Sequence, residues 1–389
     1  MVGNQFFKRI LSNKVNFFPV LLILVTIPLI LFFNGQLIQD MGLKNILIKE
    51  AEDLKLEIND ATANLQDPNL SDQDQQIYQS NIEVANQMIE QNQEIIDSLV
   101  QEDYPQAYGL MLAKRQNDQR VVAEHPEFYG DTYDQLMETI IRDQEFYSYL
   151  IDHQLKADEY QPVFGWTFAF SIWNEVLPWL LAIILIFVLT NQYSKHFYQN
   201  LDLYRLKPSK YFVQALKEMG LGLIFAISIW AISLLFAFLL GSIIFEMGSW
   251  NHPILTYDSS SEMVWLSLKS LLGSSFLLQL ISLLSLVVTI YLVTFTFKNK
   301  FLSMVINLLL VVGTMGASYF LPFFETVAAW IPYNYLQATS IITGQFNHTI
   351  AGLETTLGLG LGLNLGYVLF LLLVILLLNG YREGKHQNG

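Results

Sequence analysis

Cysteine is absent from the 389 residues. That excludes a disulfide framework, a thiolate nucleophile and a thiolate metal site. Charge is scarce as well: Asp, Glu, Lys and Arg make up 14% of the chain, where a soluble globule carries about 25%. The six histidines (125, 153, 196, 252, 348 and 386) are scattered, with no paired metal-ligand spacing. Neither HExxH nor GxSxG occurs, so no zinc-protease or nucleophile-elbow chemistry is marked. G-x4-G-K-[ST] is missing too, so any ATP this protein uses is bound by another chain. No catalytic, cofactor-binding or metal-binding residues are expected.

What is present is apolar: 52% of the residues are hydrophobic, and they gather into long runs. A hydrocarbon core of about 30 Å needs about 20 apolar helical residues. Six runs reach or approach that length: Phe17–Phe33, a stretch within Val163–Thr190, Met219–Phe245, Ser270–Phe297, Phe301–Phe324 and Thr355–Tyr381. Met263–Leu268 is a possible upstream extension of the fourth. Basic residues precede the first run, as in a signal peptide, but no small-residue cleavage pattern follows it. An uncleaved anchor is expected.

The acid is confined to one interval. Between Asp40 and Glu159 lie 26 of the 35 Asp and Glu, against 8 Lys and Arg, a balance of −18 where the rest of the chain is +4. Basic residues occupy alternate short loops: Lys8, Arg9 and Lys14; Lys195, Arg205, Lys207, Lys210 and Lys217; Lys298 and Lys300; Arg382 and Lys385. The segments 246–262 and 325–354 have none. The positive-inside rule then puts both termini in the cytoplasm and the acidic interval outside. Trp166, Trp173, Trp250, Trp265 and Trp330 fall near the outer interface, as an aromatic belt would. With a net charge of −14, no nucleic-acid partner is expected.

Within the acidic interval the apolar period is helical. Leu47, Ala51, Leu54, Ile58, Ala61 and Leu65 alternate spacings of four and three, as do Ile82, Ala85, Ile89, Asn92, Ile96 and Leu99. Asp67-Pro68-Asn69-Leu70-Ser71 links them, with Ser71 as N-cap. The spacing predicts a coiled-coil-like antiparallel hairpin, a weaker third helix over 105–121 and a fourth over 132–158, opened by Asp131 or Thr132. The carboxylates read as a solvated face. Asp67, Asp72 and Asp74 resemble a calcium-loop fragment without its Gly and terminal Glu.

Ionisable groups in apolar runs are functional suspects. Glu175 and Lys269 both lie toward the outer side, either snorkelling or paired across an outer gate. Gln279, Asn307 and Asn364 are expected to hydrogen-bond between helices. Gly358, Gly362 and Gly366 recur every four residues, a face for close helix packing.

The loop Tyr193–Lys217 is basic and amphipathic, with Phe197, Leu201 and Tyr204 at helical spacing. It contains Leu206-Lys207-Pro208-Ser209-Lys210 and then Lys217. Between runs five and six stands Glu325-Thr-Val-Ala-Ala-Trp330-Ile-Pro332. On these features the chain resembles a type-2 ATP-binding cassette (ABC) exporter permease, over residues 1–36 and 165–389. Where the family often carries Glu and Gly-Thr in the loop, this chain has residues such as Lys195 and Asn200. The resemblance implies an all-α membrane protein with six transmembrane helices. Residues 1–16 would be a cytoplasmic interfacial helix, 17–34 the first span and 35–165 the acidic extracellular helical domain. Residues 166–389 would hold five further spans, with a coupling loop at 193–217 and a membrane-dipping outer segment at 325–350. Phe197, Leu201, Tyr204, Arg205, Lys207, Pro208, Ser209, Lys210 and Lys217 would meet the ATPase. Glu175, Lys269, Trp330 and Pro332 would form the outer gate. The implied partners are a cytoplasmic ABC ATPase subunit, which alone would bind ATP, and a second permease copy or sister permease, in the lipid bilayer. The cargo would be amphipathic, lipid-like or peptide. The alternative is a membrane-anchored receptor or scaffold whose outer domain binds a ligand.

Overall fold

Each apolar run becomes one helix because, in hydrocarbon, only a helix satisfies its own backbone groups within a single segment. The computed structural model describes the chain except for residues 1–7, 9, 11–13, 68–69, 159–160, 196, 199–200, 203–210, 259–261, 351–353 and 388–389. Ten long helices run in order: α1 Lys14–Met41, α2 Leu43–Asn64, α3 Asp72–Val100, α4 Tyr104–Glu124, α5 Tyr133–Asp152, α6 Gly165–Ser194, α7 Tyr211–Ile244, α8 Leu268–Phe297, α9 Lys300–Phe320 and α10 Leu357–Gln387. Among the described residues six helical stretches are long and apolar enough to cross a membrane: one runs from within α1 through α2, and the others lie in α6, α7, α8, α9 and α10. The chain is an all-α multi-pass membrane protein. It divides into two compact units, one holding residues 1–30, 164–247 and 254–389, the other 31–163 and 248–253.

In the membrane unit, α6 and α8 are central. Of their most apolar stretches 61% is buried, against 22 to 28% for the other four. The outer helices expose large apolar side chains, among them Ile232 and Ile243 of α7 and Leu369 and Leu377 of α10, which suits lipid as solvent. α8 carries a buried polar stripe of Ser275, Gln279, Ser282, Ser285 and Thr289. Trp173 Nε1 of α6 donates to Gln279 Oε1 (2.9 Å), and Asn307 Nδ2 of α9 donates to Thr190 Oγ1 (3.4 Å). The third suspected amide, Asn364, instead donates within its own helix to the Gly360 carbonyl. Trp173 is therefore a core residue, 5% exposed, and does not belong to an interfacial belt.

The segment after α9 has irregular backbone. Pro322, just past the end of α9, begins the short helix Pro322–Glu325, and short turns follow at Ala328–Trp330, Pro332–Leu336, Ala338–Ile342 and Gln345–Thr349. Such backbone persists in a membrane protein where protein groups satisfy it. Asn334 donates to Ser318 Oγ and the Ala328 carbonyl, Ser282 donates to the Tyr335 carbonyl, and Tyr333 bonds Thr289 and Tyr367. Tyr335, Ala338, Ile341 and Phe346 form a core with Leu278 of α8.

Four short strands were not anticipated. β1 Phe197–Tyr198 and β2 Leu201–Asp202 pair antiparallel, Phe197 opposite Asp202. Phe197 and Leu201, which the helical spacing put on one face of a helix, thus lie on paired strands, while Tyr204, Arg205, Lys207, Pro208, Ser209 and Lys210 lie outside the described residues. β3 Pro253–Tyr257 and β4 Met263–Ser267 form a second two-stranded sheet. The apolar run at 263–267 is β4 and not an extension of α8.

The other unit is fully helical in its long elements. Ser71 caps α3 by accepting from the Asp74 amide. Leu47 of α2, Ile95 and Ile96 of α3, and Ala107 and Met111 of α4 share one core. Tyr108 of α4 and Leu150 of α5 share another with Ala157. The expected hairpin is therefore one edge of a four-helix unit, in which α4 is a full partner. Asn92, the polar member of its seam, is explained by Lys114 of α4, whose Nζ donates to Asn92 Oδ1 (2.8 Å) and Glu50 Oε2 (2.7 Å).

Residues 248–253 belong to this helical unit. Tyr149 donates to the Asn251 carbonyl, and the His252 ring meets Phe146 edge-on at 6.5 Å. Burial pushes the His252 pKa down from 6.5 to about 4. When undocked, the imidazole binds a proton below 6.5 that the docked form refuses. Docking is therefore fully stable above pH 6.5 and loses stability as pH falls toward 4. Intrinsic-rate-corrected amide exchange over 248–253 should rise across that window, and a His252→Phe variant should not show the rise. A flat wild-type profile would refute this.

Candidate functional site

An α-helix that must carry an extra residue without losing its axis inserts a π turn, and such turns gather at functional sites. α6 has one at Ile172–Val176, and it contains Asn174 and Glu175. Trp179 follows one turn later. These three side chains form one wall of a cleft of about 650 Å³ in the membrane unit. Tyr319 and Phe320, at the end of α9, form a second wall.

The third wall comes from the irregular segment and from Tyr257 at the end of β3. Gly344 makes this wall possible. It sits at φ +72, and a Cβ there would stand 2.3 Å from the Tyr257 carbonyl oxygen. Only glycine adopts that turn cheaply while allowing so close an approach. The turn separates two short helices and aims Gln345, His348 and Thr349 at the cleft. Tyr257 N donates to the Thr343 carbonyl (2.8 Å), and its ring stacks on His348 at 4.0 Å.

Hydrogen bonds fix the lining. Asn174 Nδ2 donates to Gln345 Oε1 (2.8 Å), joining α6 to the irregular segment. The Tyr319 hydroxyl donates to Gln337 Oε1. The Trp179 and Tyr319 rings lie 6.2 Å apart. Among the described lining residues Glu175 is the one carboxylate, and Lys and Arg are missing. No metal-holding group occurs among the described residues. The lining offers aromatic faces, amides, hydroxyls, one imidazole and one carboxylate.

Of the outer-gate residues, only Glu175 lines the cleft. Lys269, Trp330 and Pro332 do not, and no Glu175–Lys269 ion pair occurs among the described residues. Trp330 is 57% exposed, and Pro332 opens the turn that buries Tyr333 and Tyr335. Lys217 lies on α7 and is exposed. A Cβ added at Gly358, Gly362 or Gly366 would meet nothing within 4 Å. The tight glycine of α10 is Gly360, where a Cβ would stand 2.5 Å from the Tyr335 ring and 2.8 Å from Leu278. Sequence reasoning missed Asn174, Tyr257, Tyr319, Gln337, Gln345 and His348. The available signal was Glu175 itself, with a polar neighbour inside an apolar run. No protein-family model, curated protein or solved structure matches the chain.

Proposed function

We propose that this chain is the membrane-spanning permease subunit of an ABC exporter and moves an amphipathic solute with ATP hydrolysed by a separate subunit. The observation that carries the reading is a polar and aromatic cleft lined in part by two of six helices long and apolar enough to cross a membrane, in a chain with no nucleotide motif of its own. The charge pattern supports both termini and the loop 193–217 on the cytoplasmic side, and the acidic helical unit outside. ATP binding would push on that loop, and rocking of the spans would open the cleft to alternate sides. Two permease chains would complete the path. The chain itself would catalyse nothing.

The test is docking. Purification from its native membrane should co-isolate a Walker-A protein. Pro208→Ala with Lys210→Glu should cut that association and ATP-driven export by about tenfold or more, the scale of losing a buried charge contact. Membrane insertion should be unchanged. Undiminished docking and export in the double variant would overturn the coupling assignment.

A further inference from the structure

We propose that the cleft beside the π turn of α6 is a binding site for an amphipathic organic cation, with the Glu175 carboxylate as its counter-ion. The site's existence rests on geometry alone, and calling the cation a cargo rests on the export reading above.

The charge inventory of the lining excludes the other classes. An anion would face Glu175 with no Lys or Arg to offset it, only the His348 imidazole, whose ring is stacked on Tyr257. A wholly apolar solute would leave Asn174 Oδ1 and Gln337 Nε2, the amide atoms not bonded within the lining, against hydrocarbon, at a cost of about 1–3 kcal/mol for each unmatched group. A cation satisfies the carboxylate directly. It also gains from the faces of Trp179 and Tyr319, whose ring quadrupoles attract positive charge. The volume of about 650 Å³ falls in the range of small-molecule sites. One polar head and one apolar body fit a lining that is carboxylate and amide on one side and Trp, Tyr and Phe on the other.

Glu175 is built into this place. The π turn breaks the regular i to i−4 ladder at Ile172–Val176, and Asn174 beside it is tied to Gln345. A carboxylate that merely reached for the interface would need neither the π turn nor that tie. An ionisable residue in a span that faces a cleft is a functional group by default. The basic partner expected for it from the sequence, Lys269, does not line the cleft.

The full chain in phosphatidylcholine nanodiscs provides the test, with two fluorescent probes. One is a dansyl-tagged decyltrimethylammonium ion and the other its uncharged tert-butyl isostere. Wild type should bind the ammonium probe about tenfold or more tightly than the isostere, the combined scale of one ion pair and one cation–π contact. Glu175→Gln should abolish that preference and leave the isostere unaffected, while Glu175→Asp should retain most of it. Trp179→Leu should weaken the ammonium probe with its carboxylate intact. Equal binding of the two probes by wild type overturns the proposal whether or not any variant folds. So does a Glu175→Gln protein that keeps the preference. Neither result touches the export reading, because no ATPase is present; loss of ATPase docking alone would sink that reading and leave the cation site standing.

Discussion

Lys114→Ala should destabilise the helical unit by about 2–4 kcal/mol. Lys114 is 8% exposed and Asn92 is fully buried. Truncation removes the donor to Asn92 Oδ1 and leaves Glu50 without its cation. It also deletes an apolar stem packed along α4. Lys114→Met should recover the packing share but not the hydrogen bonds, and fall between. Glu50→Gln should cost about 1 kcal/mol or less, because its side chain is 33% exposed and water screens the pair. The ordering Ala worse than Met worse than Gln is the diagnostic part. It can be read from denaturant-dependent hydrogen exchange of α2, α3 and α4 in the full-length protein. If Lys114→Ala stays within about 0.5 kcal/mol of wild type, the network is a surface decoration. Such a network also accounts for a polar residue in a heptad seam. One buried amide with a single dedicated partner disfavours shifted helix registers that would strand it.

The six spans were legible because length and hydropathy are summed over about 20 residues, and no single position decides them. The Ser71 cap was legible for a local reason: its hydroxyl and the Asp74 amide are three residues apart. Features set by distant chain were not. Asn92 stood out as an exception in its seam, but nothing nearby in sequence named Lys114. The run Met-Val-Trp-Leu-Ser at 263–267 has no period that separates a strand from a helix end, and pairing with β3 decided it. The pairing of 197–198 with 201–202 overrode a helical spacing of only three apolar residues. The cleft was legible at one residue. Glu175 drew attention by its charge, whereas Tyr257 enters from β3, Gln337 from the irregular segment and His348 through the Gly344 turn. That turn shows in the sequence as an ordinary Thr-Gly.

Gly360→Ala should destabilise the membrane unit by about 1–3 kcal/mol, and the same change at Gly358, Gly362 or Gly366 should be close to neutral. The four positions share residue type and helix, so propensity alone would rank them together. Packing separates them. A methyl at Gly360 meets the ring of Tyr335, which is fully buried, held by its hydroxyl to the Ala329 carbonyl (2.8 Å) and held at its own carbonyl by Ser282. The ring has nowhere to turn. Tyr335→Ala should itself cost about 3–5 kcal/mol, mostly from the cavity and its lost dispersion contacts, because lipid offers little hydrophobic drive between helices. The decisive measurement is the double-mutant cycle. With the ring gone, Gly360→Ala should become neutral or mildly stabilising by filling part of the void, giving a coupling energy of about 1–3 kcal/mol. Steric-trap or thermal unfolding in detergent can resolve that size. Additive costs would mean that the Gly360–Tyr335 contact does not hold α10 against the irregular segment. The third wall of the cleft would then lack its support from behind, since Tyr335 and Phe346 share one core with Gln345 and His348 on either side of Phe346.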